Sequence, residues 1–257
     1  MKEKLTLIKV GGKIVEEAAS LHKLLADFTA IQGHKVLVHG GGRTATDLAT
    51  RMGIETQMVN GRRITDEAML RVVTMVYGGL VNKNVVAQLQ ACGVRALGLT
   101  GADMDTIRSH RRPAGEVDYG FVGDVDRVDG ALLSTLINQQ IVPVMAPLTH
   151  DGKGNLLNTN ADTIAGEVAK GLAPYFDVTL TYCFEKKGVL LNAEDDDSVI
   201  PHISRTDFPR LVADGIVAGG MIPKIENALA AVSAGVSRVI ITRADALDGQ
   251  GGTVITD

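Results

Sequence analysis

Leu5-Thr6-Leu7-Ile8-Lys9-Val10-Gly11-Gly12 and Lys35-Val36-Leu37-Val38-His39-Gly40-Gly41-Gly42 are short apolar runs that end in glycines and open into helix-like stretches. Glycines at such a turn let backbone N–H groups approach an anion, and the helix N-terminus behind them adds partial positive charge. Nearly continuous apolar character marks residues 5–10, 35–39, 94–99, 141–146, 177–183 and 238–242. Strands covered on both faces read this way, whereas half-exposed strands alternate. Amphipathic stretches lie between them at 16–31, 44–52, 66–92, 131–139, 162–172 and 223–234. Strand and helix alternate, which predicts an α/β fold with a mainly parallel sheet.

Residues 103–129 break the alternation with Arg108, Arg111, Arg112 and several aspartates, then Tyr119-Gly120-Phe121-Val122-Gly123. A β-hairpin excursion near the active face is the expectation there. The acidic run Glu194-Asp195-Asp196-Asp197 reads as a solvated turn within a polar insert at 192–205. Ala173-Pro174 is the expected boundary between an N-terminal lobe, 1–173, and a C-terminal lobe, 174–257.

Of the 257 residues, 45% are apolar and 22% charged, as in an ordinary globular protein. Lys plus Arg total 26 against 30 Asp plus Glu, a net charge of -4 that gives no electrostatic case for nucleic acid or an anionic membrane. Aromatic residues at 4%, with no Trp, argue against a stacking platform for single strands. Two cysteines, Cys92 and Cys183, far apart in sequence, make neither a metal motif nor a disulfide framework. No signal-peptide core or membrane-length apolar run is present, so a cytoplasmic location is expected.

Neither glycine turn is a Walker A loop, because no Gly-Lys-Ser/Thr follows, and neither fits the dinucleotide fingerprint. His-Gly-Gly-Gly also occurs as an esterase oxyanion loop, but the chain lacks the Gly-x-Ser-x-Gly elbow that reading needs. Lys9 ends an apolar strand, where an ammonium needs an anion, either a protein carboxylate or a ligand phosphate. Lys224 follows Gly219-Gly220-Met221-Ile222-Pro223; Pro223 suits the first position of a helix, which puts Lys224 against the macrodipole in the first turn. Asn160 and Asp162 head another helix, where capping alone accounts for both. Arg63, in Asn60-Gly61-Arg62-Arg63, is placed to clamp a carboxylate bidentately, or else is a solvated turn arginine.

Taken in order, these segments resemble the amino-acid kinase family. The resemblance is carried by Leu7-Ile8-Lys9-Val10-Gly11-Gly12, Val38-His39-Gly40-Gly41-Gly42, Asn60-Gly61-Arg62-Arg63-Ile64-Thr65 and Gly98-Leu99-Thr100-Gly101. It continues in Gly120-Phe121-Val122-Gly123-Asp124-Val125, Asn158-Thr159-Asn160-Ala161-Asp162 and Gly219-Gly220-Met221-Ile222-Pro223-Lys224. Each piece is weak alone; the ordered set spans almost the whole chain. The resemblance implies a three-layer α/β/α sandwich and an ATP-dependent kinase whose acceptor is an N-acylglutamate, with Mg²⁺ carried by the nucleotide and no protein metal site. It implies that Lys9 and Lys224 stabilise the transferring phosphoryl group while Asp162 orients both. Gly11, Gly12, Gly219 and Gly220 would line the nucleotide phosphates. Gly41, Gly42, Arg63 and Asn158 would hold the acceptor, in the N-terminal lobe, with ATP in the C-terminal one.

An acceptor carboxylate with a pKa near 4.3 needs no general base, and none stands out. The obstacle is an anion attacking a polyanion, which lysines, glycine-nest N–H groups and Mg²⁺ relieve. The chain departs from the family at Thr181-Tyr182-Cys183-Phe184-Glu185-Lys186-Lys187-Gly188, where the usual aspartate is missing. It also starts directly at the first strand, without the N-terminal helix of arginine-inhibited relatives; a homodimer joined through the helix starting near Thr65, without arginine feedback, is the expectation. Alternatives left open are an acyl group other than acetyl (succinyl, for example), a carbamate or UMP kinase, and a non-catalytic ligand sensor; a dinucleotide-dependent oxidoreductase is remote.

Overall fold

The architecture follows from which residues face each side of one strand. β1 (Lys4–Val10) alternates Leu5, Leu7 and Lys9 on one face with Ile8 and Val10 on the other, and both apolar sets are buried. A strand buried on both faces must sit inside a sheet with helices above and below. The computed structural model, which describes residues 1–257 apart from Asn60, Gly220, residues 248–250 and the side chain of Pro223, has that arrangement.

In chain order, β1 leads into α1 (Gly12–Glu16) and α2 (Ala18–Ala30), then β2 (His34–His39) and α3 (Gly42–Arg51). A short ribbon, β3 (Met58–Val59) and β4 (Arg62–Arg63), precedes one long helix: α4 (Glu67–Val73), a π-helical stretch (Thr74–Val81) and α5 (Asn82–Ala91). β5 (Ala96–Leu99) is followed by β6 (Ile107–Arg111), β7 (Gly123–Val128), α6 (Gly130–Asn138), β8 (Val142–Met145), β9 (Leu148–His150), β10 (Leu156–Asn158) and α7 (Ala161–Leu172). The last part holds β11 (Asp177–Phe184), β12 (His202–Ser204), α8 (Phe208–Ala213), α9 (Met221–Ser233), β13 (Arg238–Arg243) and β14 (Thr253–Thr256).

The main sheet runs β12-β14-β13-β11-β1-β2-β8-β5, parallel throughout except at β13–β14. One apolar layer joins it to α6, α7 and α9 through Leu133, Ile164 and Leu229; the other joins it to α2, α3 and the long helix through Phe28, Ala45 and Val85. Ala173-Pro174 falls between α7 and β11, and β11 pairs with β1 from Lys4↔Asp177 to Val10↔Cys183, so one sheet runs through both sides of that point.

The expected hairpin is present as β6 and β7, antiparallel and joined by β9 and β10 into a second, four-stranded sheet that the sequence had not indicated. Its tip locks onto the start of the long helix: Thr65 N donates to Tyr119 O (2.9 Å), and Phe121 N donates to Thr65 O (2.6 Å). Only glycine fits between, since Gly120 has φ +70° and a Cβ there would lie 2.3 Å from Thr65 O. The acidic run at 194–197 is a turn, with Asp196 paired to Lys186 and Asp197 to Lys187.

Candidate active site

Parallel strands end at one edge, so the turns after β1, β2 and β11 converge there; crevices outside carboxyl strand ends are where open α/β sheets bind ligands. Val10 stands opposite both His39 and Cys183 in register. The two glycine turns adjoin, for a Cβ built on Gly12 would lie 3.5 Å from Gly42 N and 3.7 Å from Gly41 N. Gly41, at φ +152°, closes over the π-helical stretch, and a Cβ there would meet the Tyr77 ring at 3.1 Å and Val81 at 3.2 Å. Glu16, which sequence reasoning missed, ties α1 to the head of α3 by accepting from Thr44 N (2.8 Å) and Thr44 Oγ1 (3.1 Å).

His39 was read only as part of the glycine motif, yet it is wholly buried and fixes the turn from beneath. Its Nδ1–H donates to Gly40 O (2.7 Å), which leaves Nε2 to accept from Asn82 Nδ2 (3.0 Å). Burial holds its pKa down at about 4. Asn82 sits on the long helix and donates to Val144 O as well (2.9 Å), so three elements meet at this imidazole.

Arg63 is buried at 8% exposure, and its guanidinium rests on neutral acceptors. Nη2 donates to Gly42 O (2.8 Å) and Thr46 Oγ1 (2.9 Å); Nη1 donates to Thr56 Oγ1 (3.3 Å). No carboxylate among the described residues pairs with it. A buried cation without a counter-ion is costly, and this one lines a cavity of about 180 Å³ together with Gly41, Gly42, Arg62, Tyr77 and Asn158. Asn158 is buried and donates from Nδ2 to Thr65 Oγ1 (2.9 Å). A second cavity of about 760 Å³ adjoins the first, sharing Gly42 and Arg63 and adding Gly11, Gly12 and Phe184.

Lys9 meets a protein carboxylate. Its Nζ lies 2.7 Å from Asp162 Oδ1, with side-chain exposures of 8% and 12%. Asn160 caps α7, its Oδ1 accepting from Asp162 N (2.8 Å) and Thr163 N (3.2 Å), and thereby aims Asp162 across at β1. Lys224 is on the same side of the crevice, but it makes no ion pair among the described residues. Its Nζ lies 3.7 Å from the centroid of the Phe184 ring instead. Burial pulls its pKa down; the Asp162 charge works against that and the Lys9 charge with it. Direct contact with Asp162 is thus made by Lys9 and not by Lys224.

One local expectation needs correction: α9 starts at Met221, ahead of Pro223, which keeps Lys224 in the first turn but as its fourth residue. The strand read at 177–183 extends one residue further, to Phe184, because β11 continues to pair with β13 up to Phe184↔Arg243. Gly219, at φ +54°, precedes α9; Gly220 and Asn60 lie outside the described residues.

Comparison with known proteins agrees with this geometry. The model of the amino acid kinase family matches residues 4–243. An acetylglutamate kinase of Bacteroides fragilis is 69% identical over 255 residues, covering 99% of this chain and 98% of its own. One from Methanopyrus kandleri is 40% identical over 253 residues, covering 97% and 99%. A solved structure from Streptococcus mutans superposes with a TM-score of 0.82 at 29% identity, covering 98% of each chain.

Proposed function

Because the chain belongs to the amino acid kinase family, we propose that it transfers the γ-phosphoryl group of ATP to the γ-carboxylate of N-acetyl-L-glutamate, a step of arginine biosynthesis. The observation that carries this reading is the pairing of an uncompensated, buried Arg63 in one cavity with Lys9, Lys224 and two glycine turns beside it. Arg63 supplies a bidentate clamp for the α-carboxylate, with Asn158, Gly41 and Gly42 around the rest of the acceptor. Gly11, Gly12 and Gly219 lie against the polyphosphate.

A lone pair of the γ-carboxylate forms the new O–P bond as the bond from Pγ to the bridging oxygen breaks, and its electron pair leaves on ADP. No proton moves. Lys9 and Lys224 offset the charge that spreads over the three equatorial oxygens, and Asp162 keeps the Lys9 ammonium in place. Mg²⁺ carried by the triphosphate would neutralise part of its charge. The acceptor is bound by residues 1–173 and the nucleotide by 174–257, with Lys9, Gly11 and Gly12 reaching across to its phosphates. We read the active form as a cytoplasmic homodimer, for which the exposed Met75 and Leu80 on the long helix offer an apolar face.

A specific observation favours a second acyl group. Arg62 also lines the acceptor cavity, half-buried, with no ion pair or hydrogen bond among the described residues. Burial, then the neighbouring Arg112 charge, draws its pKa down, while Asp124 and Tyr119 oppose this. A dicarboxylic acyl group such as succinyl places a second anion within such a pocket. The test is ADP release with Mg-ATP and N-acetylglutamate, N-succinylglutamate, glutamate, carbamate or UMP. Turnover with one acylglutamate, lost in Lys9→Ala and Lys224→Ala, is expected. Turnover with carbamate or UMP alone refutes the assignment, and none at all leaves a ligand sensor.

A further inference from the structure

β11 carries Val178, Leu180, Tyr182 and Phe184 toward the same apolar layer, so Phe184 emerges at the lip of the crevice on the face that bears Lys9. Tyr182 is fully buried and donates its hydroxyl to Asp162 O (3.2 Å). The Phe184 ring stacks on it, with centroids 6.2 Å apart and planes 12° apart. The ring also lies under two ammonium groups. Lys224 Nζ is in contact at 3.7 Å, while Lys9 Nζ is at 5.4 Å and already has Asp162.

We propose that Phe184 is a positioning residue, whose ring face holds the Lys224 ammonium at the crevice in place of a carboxylate until a polyphosphate arrives. An aromatic face attracts a cation through its quadrupole, and a desolvated contact is worth about tenfold in an equilibrium. A carboxylate at this point would hold the lysine more tightly, but it would also cancel the charge the phosphates need and repel them. A ring does neither. The stacked pair Tyr182–Phe184, anchored on Asp162 O, sets the ring plane, so one short segment of β11 orients both the Asp162 backbone and the free lysine. The aromatic stands in the segment that departs from the family pattern, at 181–188, and of Lys9 and Lys224 it is Lys224 that makes no ion pair among the described residues.

The role in turnover rests on the reading of Lys224 given above, but the hold itself can be read without turnover. Trace labelling of the full chain with acetic anhydride, without nucleotide, reports the free-amine fraction at each lysine by peptide mass spectrometry. Phe184→Leu removes the quadrupole and keeps apolar bulk; Phe184→Tyr keeps both. Lys224 labelling is expected to rise about tenfold in the leucine variant and to stay within about twofold of wild type in the tyrosine variant. In parallel, kcat falls in the leucine variant and recovers in the tyrosine variant, with KM for the acylglutamate unchanged. Equal labelling of Lys224 in wild type and both variants overturns the proposal, as does an equal rise in both variants, which marks loosened packing. A labelling contrast in a chain that phosphorylates no acceptor keeps the ring contact and defeats the kinase reading; turnover without the contrast does the reverse.

Discussion

The Lys9–Asp162 pair makes a prediction in which stability and activity part company. Both side chains are close to nine-tenths buried and lie 2.7 Å apart. Breaking a buried pair from one side leaves an uncompensated charge, at a cost of about 3–5 kcal/mol. Because Asp162 borders the crevice and water reaches its edge, the low end applies, about 3 kcal/mol for Asp162→Asn. That variant also leaves Lys9 and Lys224 facing one another and removes a helix N-terminal charge worth about 0.3–1 kcal/mol. For a domain of this size the melting temperature drops by roughly 6–12 °C. Lys9→Met costs less, because the orphaned carboxylate still has the Lys224 charge nearby. The double variant carries neither buried charge, and its loss shrinks to about 1 kcal/mol. Scanning calorimetry on the four proteins reads this cycle directly. Turnover behaves otherwise, with kcat falling about 10²–10³-fold in each single variant and not returning in the double. A double variant that melts at or below Asp162→Asn would show that the pair is not coupled, and the reasoning fails.

Gly41→Ala introduces a Cβ 3.1 Å from the Tyr77 ring at a φ of +152°, and strain of this kind costs about 1–3 kcal/mol. Displacing the turn lowers kcat/KM for the acylglutamate by about 10–100-fold; Gly115→Ala, with nothing within 4 Å of its Cβ, is the control and keeps wild-type kinetics. For His39 the sign follows from a pKa held at about 4, below its ordinary value of 6.5. The unfolded chain takes up this proton first, so the contribution to stability is complete above pH 6.5 and is lost as pH falls toward 4. Between pH 7.5 and 5.0 the loss is about 2 kcal/mol. Urea titrations at both values should show it in wild type and not in His39→Gln; identical slopes in the two proteins reject the assignment.

Six strands of the main sheet were legible because unbroken Val, Ile and Leu runs mark strands covered on both faces; β12 (His202–Ser204) and β14 (Thr253–Thr256) are too short and too polar to stand out. The second sheet was harder: β9 and β10 span only Leu148–His150 and Leu156–Asn158, too short to show a period. The helix at 66–92 reads as one amphipathic stretch and is continuous, but nothing in Thr74–Val81 announces a change to π geometry, which occurs where Tyr77 and Val81 pack beneath Gly41. At the site, position relative to strand and helix ends singled out Lys9 and Lys224, whereas Asp162 was singled out only by the family resemblance and Arg63 was left between a carboxylate clamp and a solvated turn. The resemblance gave Asp162 both lysines as partners, but only the fold separates them, bringing Lys9 on β1 to Asp162 on α7 and Lys224 to Phe184 at the end of β11. His39 and Glu16 lay hidden for the same reason, their roles being defined by Asn82 and Thr44 on other elements.

β1 sits between β2, which follows it closely, and β11, which begins at Asp177. A ribosome adds about 5–20 residues each second, so one edge of this strand waits on the order of ten seconds for its neighbour. During that interval Leu5, Leu7 and Lys9 face a layer whose α7 carboxylate arrives late, and an unpaired apolar edge invites pairing with other chains. Lys9 is made long before its partner Asp162. A charge at the end of an exposed edge discourages intermolecular strand addition, and Lys9 places one at the end of this edge.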